Sequence, residues 1–268
     1  MSNSETNPES AATVTEIRSR GRRPGIYILP SLFTTAGLFA GFYAIIQAVG
    51  GNFEKAAIAI FIAMVMDGLD GRVARLTHTE SDFGAQYDSL VDMVAFGLAP
   101  ALVMYVWALS GLGNLGWVVA FIYSAGAGLR LARFNIQVDV VDKRYFIGLP
   151  SPTAAAVVAG FIWLMDAAGL PGKQISIFGL LFTLAAGILM VSNIRYRSFK
   201  DLDLKGRVPF VTILVVPLIF VAVFLYPPQV LFGTAAVYTL SGPLQALWRL
   251  MRKRRQGGDT HGDPGAKK

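Results

Sequence analysis

Hydrophobic residues in this chain fall into long runs that are separated by short polar loops. About 20 consecutive apolar residues are enough for one helical crossing of a bilayer. On that measure we predict about eight transmembrane helices, at residues 31–50, 54–76, 84–108, 114–136, 153–170, 174–192, 208–226 and 229–248. The pattern shows neither an internal repeat nor a separate soluble domain. It predicts an all-α, polytopic integral membrane protein.

The predicted helices form one domain with a polar tail at each end. Residues 25–250 are expected to be a transmembrane catalytic domain. Residues 1–24 are rich in polar side chains and end in a run of arginines, so we predict a flexible N-terminal tail that meets anionic headgroups at the membrane surface. Residues 251–268 are expected to be a basic, flexible C-terminal tail.

Composition supports the membrane interpretation and excludes several other classes. The chain is 54% hydrophobic and 15% charged, with a mean hydropathy of +0.52, which is too apolar for an ordinary soluble domain. The net charge of +7 does not indicate nucleic-acid binding, because the basic residues lie in loops and tails beside the apolar runs. The chain has no cysteine, which excludes disulfides, thiolate nucleophiles and cysteine-based zinc sites.

The basic residues also predict an orientation. They gather in the N-terminal tail, at the junction of spans 2 and 3, and after spans 4, 6 and 8, whereas the opposite loops hold only Lys55 and Lys173. Loops rich in Lys and Arg stay on the cytoplasmic side. We therefore expect an inner or plasma membrane of bacterial type, with both termini and the 2/3 junction facing the cytoplasm.

Four aspartates lie at or inside two neighbouring predicted spans: Asp67, Asp70, Asp88 and Asp92. At about 100° per residue, the first two share one helix face and the last two share a stripe on the next helix. An ionised carboxylate is costly in a membrane unless something pairs with it. Divalent cations such as Mg²⁺ prefer oxygen ligands and would leave sites open for phosphate oxygens. The pattern therefore indicates a metal-binding hairpin.

Small residues lie beside these carboxylates. Gly71, Ala74 and Gly84 carry little or no side chain on the same faces, so a bulky ligand can approach the backbone closely. Arg75 adds a cation suited to phosphate. Together with the carboxylates, these residues indicate a site for metal-assisted phosphoryl transfer.

The spacing of these residues resembles a known family signature. Asp67-x-x-Asp70-Gly71-x-x-Ala74-Arg75, eight further residues, and then Gly84-x-x-x-Asp88-x-x-x-Asp92 is similar to the motif of the CDP-alcohol phosphotransferases, which are integral membrane enzymes of phospholipid synthesis. The flanking segments LPSLFTTAGLFAGFYAI, LRLARFNIQ and FIGLPSP resemble the phosphatidylserine synthase branch of that family. The resemblance covers roughly residues 28–205.

The resemblance implies a fold, a reaction and roles for named residues. It implies the CDP-alcohol phosphotransferase fold, a homodimer, and transfer of a phosphatidyl group from CDP-diacylglycerol to L-serine with release of CMP. Two Mg²⁺ or Mn²⁺ ions would be held, one by Asp67, Asp70 and Asp88 and the other by Asp67, Asp88 and Asp92. Asp92 would also be the general base. The residues that would contact the CDP-lipid are Ser31, Thr34, Asp67, Gly71, Ala74, Arg75, Ser81 and Gly84.

Three residues at the cytoplasmic end of span 4 are candidates for acceptor or phosphate recognition: Arg130, Arg133 and Asn135. The planar guanidinium of arginine suits the carboxylate that serine carries. The same arginines would also serve as snorkelling anchors at the membrane surface. Ser31 and Thr34 have a comparable alternative, since both residue types favour helix N-termini.

Other functions fit parts of the pattern. Within the family, the acceptor could instead be glycerol 3-phosphate, an inositol phosphate or choline. A divalent-cation transporter would use the same acids, although Gly71, Ala74 and Arg75 argue against it because an ion path needs no clearing of nucleotide size. A lipid-binding scaffold without catalysis would require Asp92 to be dispensable.

Overall fold

The protein was analysed as a computed structural model, and the structure describes residues 28–137, 145–197 and 210–258. The described part is almost entirely helical, which confirms the all-α prediction. One short antiparallel sheet of β1 (Tyr145–Ile147) and β2 (Arg195–Arg197) is the exception. The α-helices are α1 (Ile28–Val49), α2 (Phe53–Thr77), α3 (Asp82–Asp92), α4 (Ala99–Met104), α5 (Asn114–Gln137), α6 (Ser151–Ala167), α7 (Ser176–Val191), α8 (Phe210–Leu225) and α9 (Pro227–Gly258).

The third predicted span is one helical rod with changes of winding inside it. The rod comprises α3, a π-helical segment at Met93–Leu98, α4, a second π-helical segment at Tyr105–Leu109 and a 3₁₀ turn at Ser110–Leu112. Nothing in the polar and apolar pattern signalled these changes of winding, because α and π windings bury nearly the same residues. The first π segment begins directly after Asp92.

Five helical stretches of the described residues are long and apolar enough to cross a membrane: Pro30–Val49, Asp82–Leu112, Asn114–Ile136, Gly172–Val191 and Pro227–Arg249. The chain is therefore an integral membrane protein. Helices also lie at the three other predicted positions, in α2, α6 and α8. However, α6 has only 17 residues and would span about 25 Å, so the count of eight transmembrane helices remains a prediction.

The C-terminal helix is longer than predicted. α9 ends at Gly258, so the predicted domain boundary at residue 250 lies inside a helix. Four of the added residues are Arg or Lys, which are good helix formers and favourably placed cations at a helix C-terminus. The predicted N-terminal tail, residues 1–24, and residues 259–268 of the predicted C-terminal tail lie outside the described ranges.

The helices pack through small residues. Ala44, Ala56 and Ala57 are fully buried where α1 meets α2. Gly41 of α1 lies so close to the π segment that a Cβ there would be 2.9 Å from the Cα of Ala95. Without a hydrophobic driving force between helices in lipid, such close backbone approaches supply much of the packing energy.

The β1–β2 pair joins the entry of α6 to the end of α7. Phe146 pairs with Tyr196 in the sheet, and the N–H of Gly148 donates to the carbonyl of Ile194 at 2.8 Å. The sheet thereby brings the start of α6 beside the loop that follows α7. It was not predicted, because three-residue strands distant in sequence leave no recognisable periodicity.

Gly148 makes the β1–β2 pair sensitive to substitution. Its φ is +80°, and an added Cβ would clash with the carbonyl oxygen of Met190. Gly148→Ala should therefore lose about 3 kcal/mol of stability, about 1 from the left-handed backbone and about 2 from overpacking. Gly169→Ala is the matched control, since Gly169 has φ +70° but no atom within 4 Å of its Cβ position.

Thermal unfolding of both variants in detergent tests this comparison. Gly148→Ala should unfold at a clearly lower temperature than Gly169→Ala, and equal melting temperatures would contradict a tight contact at Met190.

Candidate active site

A short turn between α2 and α3 builds the predicted hairpin. α2 ends at Thr77 and is capped by His78, whose φ of 52° is left-handed, and the N–H of Thr79 donates to the carbonyl of Ala74 at 3.0 Å. Ser81 then caps α3, accepting a hydrogen bond from the N–H of Gly84 at 3.1 Å. Both helix ends are thus closed by local hydrogen bonds, and the turn brings Asp88 of α3 close to Asp67 and Asp70 of α2.

The hairpin brings carboxylates together. Oxygen atoms of Asp67, Asp70 and Asp88 lie within 4.8 Å of one another. Asp70 is buried, with 5% of its surface exposed, and its Oδ2 accepts a hydrogen bond from Thr34 Oγ1 at 2.8 Å. Asp92 lies beside them in what we call the inner crevice, which is lined by Thr34, Gly37, Ala63, Asp67, Asp70, Asp88, Val91, Asp92, Ala95 and Phe96.

This donor set fits divalent cations. Two ionised carboxylates within 4.8 Å repel each other by about 3 kcal/mol at an effective dielectric constant near 20, so the cluster needs positive charge. Oxygen ligands of one Mg²⁺ or Mn²⁺ ion at about 2.1 Å lie no more than about 4.2 Å apart. Small side-chain rotations would bring these carboxylates to that separation. An acidic cluster compatible with metal binding is thus present.

A pocket of about 440 Å³ opens above the cluster. That volume lies in the range of small-molecule sites, and the carboxylates of Asp70 and Asp88 form part of its wall. We call it the outer pocket. It is lined by Pro30, Ser31, Thr34, Asp70, Gly71, Ala74, Arg75, Thr79, Glu80, Ser81, Asp82, Gly84, Ala85, Tyr87 and Asp88.

Nearly all residues predicted to contact the CDP-lipid line this pocket. The exception is Asp67, which lines the inner crevice instead. The small residues keep space open: a Cβ on Gly71 would meet only the guanidinium of Arg75, at 3.6 Å. Ser81 and Thr34 each have a structural role and also line the pocket. Ser81 caps α3, and Thr34 donates a hydrogen bond to Asp70.

Tyr87 is a pocket residue that the sequence did not indicate. Its hydroxyl is hydrogen bonded to Thr35 Oγ1 at 3.1 Å, which joins α3 to α1 beside the outer pocket. Its ring stacks on Phe83 with centroids 6.1 Å apart. In the sequence, its position directly before Asp88 could have indicated a place in the site. An aromatic residue there is, however, equally expected to face lipid.

The three candidate acceptor residues point to different places. Arg130 is half-buried, donates from Nη1 to Ser151 Oγ, and interacts electrostatically with Asp92 and Asp67. Arg133 donates to Asn193 Oδ1 at 2.9 Å and to the carbonyl of Val191 at 3.4 Å, at the end of α7.

Asn135 donates from Nδ2 to Ser89 Oγ at 3.1 Å, next to Asp88 on α3. The structure therefore brings Arg130 to the carboxylates, whereas Arg133 holds the end of α7 and Asn135 joins α5 to α3.

A helical membrane protein in which clustered carboxylates line a pocket of nucleotide size has the architecture of an intramembrane phosphotransferase. Residues 27–194, more than half of the chain, match the family model described as CDP-alcohol phosphatidyltransferase. The chain belongs to that family, as its motif predicted. The matched residues include α1 to α7, and therefore the hairpin, the outer pocket and the candidate acceptor residues.

Curated relatives with similar sequences carry one common name, CDP-diacylglycerol–serine O-phosphatidyltransferase. The protein of that name from Helicobacter pylori (strain ATCC 700392 / 26695) is 36% identical over 228 residues, covering 85% of this chain and 94% of the relative. A relative from Mycobacterium tuberculosis (strain CDC 1551 / Oshkosh) is 41% identical, covering 66% of this chain and 64% of its own. One from Bacillus subtilis (strain 168) is 33% identical, covering 64% of this chain and 91% of its own.

Proposed function

We propose that this protein transfers a phosphatidyl group from CDP-diacylglycerol to the hydroxyl of L-serine, giving phosphatidylserine and CMP. The observation that carries the proposal is the carboxylate cluster of Asp67, Asp70 and Asp88, of which Asp70 and Asp88 form part of the wall of the outer pocket. The similarity to the H. pylori relative along most of both chains supports serine as the acceptor.

The carboxylates would hold two Mg²⁺ or Mn²⁺ ions. Asp67, Asp70 and Asp88 would hold one, and Asp67, Asp88 and Asp92 the other. When bound, such ions neutralise the pyrophosphate of the donor and the charge that develops on the departing CMP. The hydrogen bond from Thr34 fixes the orientation of Asp70, in the way that second-shell partners orient metal ligands.

The outer pocket would bind the cytidine diphosphate part of the donor. Gly71, Ala74 and Gly84 leave room for it, and Arg75 supplies an exposed guanidinium for a phosphate. Ser31 and Ser81 add hydroxyls to the lining of the pocket. The diacylglycerol part would extend from this pocket into the surrounding lipid.

Asp92 would act as the general base. The serine oxygen attacks the phosphorus that carries the diacylglycerol group, the bond from that phosphorus to the CMP oxygen breaks, and the serine proton passes to Asp92. A carboxylate next to cations is a weak base, so the proton leaves as attack proceeds and not before it. One displacement at phosphorus would invert its configuration.

Arg130 is the residue that the geometry favours for the acceptor carboxylate. Its charge interacts electrostatically with Asp92 and its guanidinium is oriented by Ser151, so a carboxylate bound to it would place the serine hydroxyl towards the base. Arg133 and Asn135 would contribute indirectly, Arg133 by holding the end of α7 and Asn135 by joining α5 to α3. A buried charge-assisted hydrogen bond of this kind stabilises a complex by about 1.5–3 kcal/mol.

Arg130→Lys should therefore raise the KM for serine by about 10-fold or more, since lysine keeps the charge but loses the fork that binds a carboxylate. The KM for CDP-diacylglycerol should stay within about twofold. Arg133→Ala is the comparison: Arg133 donates to Val191 and Asn193, at and just beyond the end of α7, so we expect a smaller increase in the KM for serine. A larger increase in the KM for serine in Arg133→Ala than in Arg130→Lys would assign acceptor recognition to Arg133 instead.

Placement in the membrane follows from the charge pattern. We propose that the hairpin and both termini face the cytoplasm, because the loops rich in Arg and Lys lie at that end. We also propose a homodimer, as the family resemblance implies. Scanning accessibility of single introduced cysteines in the cysteine-free chain tests the orientation directly.

An acceptor assay tests the proposed function. Purified protein in mixed micelles is given CDP-diacylglycerol, Mn²⁺ and one acceptor at a time: serine, glycerol 3-phosphate, an inositol phosphate or choline. CMP release that depends on serine alone supports the proposal. Release with another alcohol would keep the reaction type and replace the acceptor, whereas Mn²⁺ flux into liposomes without any CMP release would indicate a transporter.

A further inference from the structure

The helix that carries Asp88 and Asp92 changes its winding directly after Asp92. Met93–Leu98 is π-helical, and the N–H of Ala99 bonds the carbonyl of Val94, five residues back. π turns are rare, less stable than α turns, and frequent at functional sites. A π turn therefore needs support from the helices around it.

Two hydroxyl groups of α5 supply that support. Tyr123 donates from its hydroxyl to the carbonyl of Phe96 at 3.1 Å, and Ser124 donates from Oγ to the carbonyl of Gly97 at 3.2 Å. Both side chains are buried, and Tyr123 has no exposed surface. Hydrogen bonds between helices that reach backbone carbonyls at this depth have no water to replace them.

α1 also contacts the π segment. Gly41 lies so close to Ala95 that a Cβ on Gly41 would be 2.9 Å from the Ala95 Cα. The π segment thus has a close backbone contact with α1 and two side-chain hydrogen bonds from α5. Its winding is set by α1 and α5 together.

We propose that Tyr123 and Ser124 are positioning residues for Asp92. This inference rests on the proposed function, in which Asp92 is the base and a ligand of the second cation. A return of the π turn to α winding would shift the helix by one residue, or about 1.5 Å and 100°. Asp92 borders the π segment, so it would move relative to Asp67.

Asp88 should respond less than Asp92. It lies one turn closer to the Ser81 cap and to the short turn that joins α3 to α2. Loss of the α5 hydroxyls should therefore affect the base and the second cation while leaving the first cation in place. A general loss of stability would not produce this asymmetry.

The test compares Tyr123→Phe, Ser124→Ala and the double variant with Tyr196→Phe. Tyr196 is the matched control: it is also fully buried and its hydroxyl also donates to a backbone carbonyl at 3.1 Å, that of Thr239 in α9. The chemical change is the same as in Tyr123→Phe, but the carbonyl that loses its hydrogen bond belongs to α9 and not to the π segment. Measurements are kcat, both KM values, melting temperature, and Mn²⁺ binding followed by electron paramagnetic resonance.

We expect the double variant to lose about 10- to 100-fold in kcat, since a displacement of about 1 Å at a reacting group costs that much. The KM for each substrate should stay within about twofold of wild type. One of the two Mn²⁺ ions should bind more weakly by about 10-fold. Tyr196→Phe should keep wild-type kcat and wild-type Mn²⁺ binding at a similar melting temperature.

Three results would overturn the inference: a kcat of the double variant within twofold of wild type, an equal loss in Tyr196→Phe, or unchanged binding of both Mn²⁺ ions. Asp92→Asn, measured in parallel, separates this inference from the proposed function. If Asp92→Asn still releases CMP at the wild-type rate, the proposed base is wrong. If Asp92→Asn is inactive and the double variant is not, only the role of the α5 hydroxyls fails.

Discussion

Asp92→Asn should lower kcat by about 10²- to 10⁴-fold, the range that a positioned general base contributes. The amide is nearly isosteric with the carboxylate but accepts no proton from the serine hydroxyl, and it is a poorer ligand for a hard cation. The KM for CDP-diacylglycerol should change little, because Asp92 lines the inner crevice and not the outer pocket. Serine-dependent CMP release measures the effect.

Asp166→Asn serves as its control. Asp166 is an exposed aspartate near the end of α6, while the start of α6 contacts Arg130 through Ser151. It therefore lies about 22 Å from Ser151 along the helix axis. Its variant should keep wild-type kcat, and a kcat for Asp92→Asn above about a tenth of wild type would remove Asp92 from the base role.

The second large effect that we expect is a dependence of CMP release on a divalent cation. Chelation with EDTA should abolish CMP release, and added Mn²⁺ should restore it in the wild-type protein. Asp88→Asn should raise the Mn²⁺ concentration for half-maximal activity by more than about 100-fold, because loss of a second-shell partner alone costs 10–100-fold. Asp88, like Asp67, is assigned to both proposed cations, so its loss should raise the Mn²⁺ requirement more than loss of Asp70 or Asp92.

Thr34→Val provides a graded comparison within the same cluster. It has almost the same shape as threonine but loses the 2.8 Å hydrogen bond to Asp70. We expect the Mn²⁺ requirement to rise by about 10-fold, between wild type and Asp88→Asn. Activity of Asp88→Asn at the wild-type Mn²⁺ concentration would contradict a metal site in the hairpin.

The hairpin was predictable from sequence because its geometry is local. Asp67 and Asp70 share one face of α2, and Asp88 follows after a turn closed by His78 and Ser81. Helical periodicity then decides which side chains meet. The outer pocket follows from the same residues, since the absent side chains of Gly71 and Gly84 leave its space.

Features that depend on contacts between distant segments were not predictable. The π segment after Asp92 is stabilised by Tyr123 and Ser124, and no local pattern identifies their partners. From the sequence, Arg130 and Arg133, which are three residues apart, were both predicted to recognise the acceptor or a phosphate. Their different surroundings come from Ser151 at the start of α6 and Asn193 beyond the end of α7, which the β1–β2 pair brings near α5.

The distribution of the site along the chain has an evolutionary consequence. The proposed donor half, with its carboxylates and outer pocket, comes from α1 to α3, while the arginines proposed for the acceptor come from α5 and are oriented from α6 and the end of α7. Changes in the later helices can therefore alter which alcohol is used without disturbing the earlier ones. Two such enzymes that use different alcohols could therefore share α1 to α3 and differ mainly in α5 to α7.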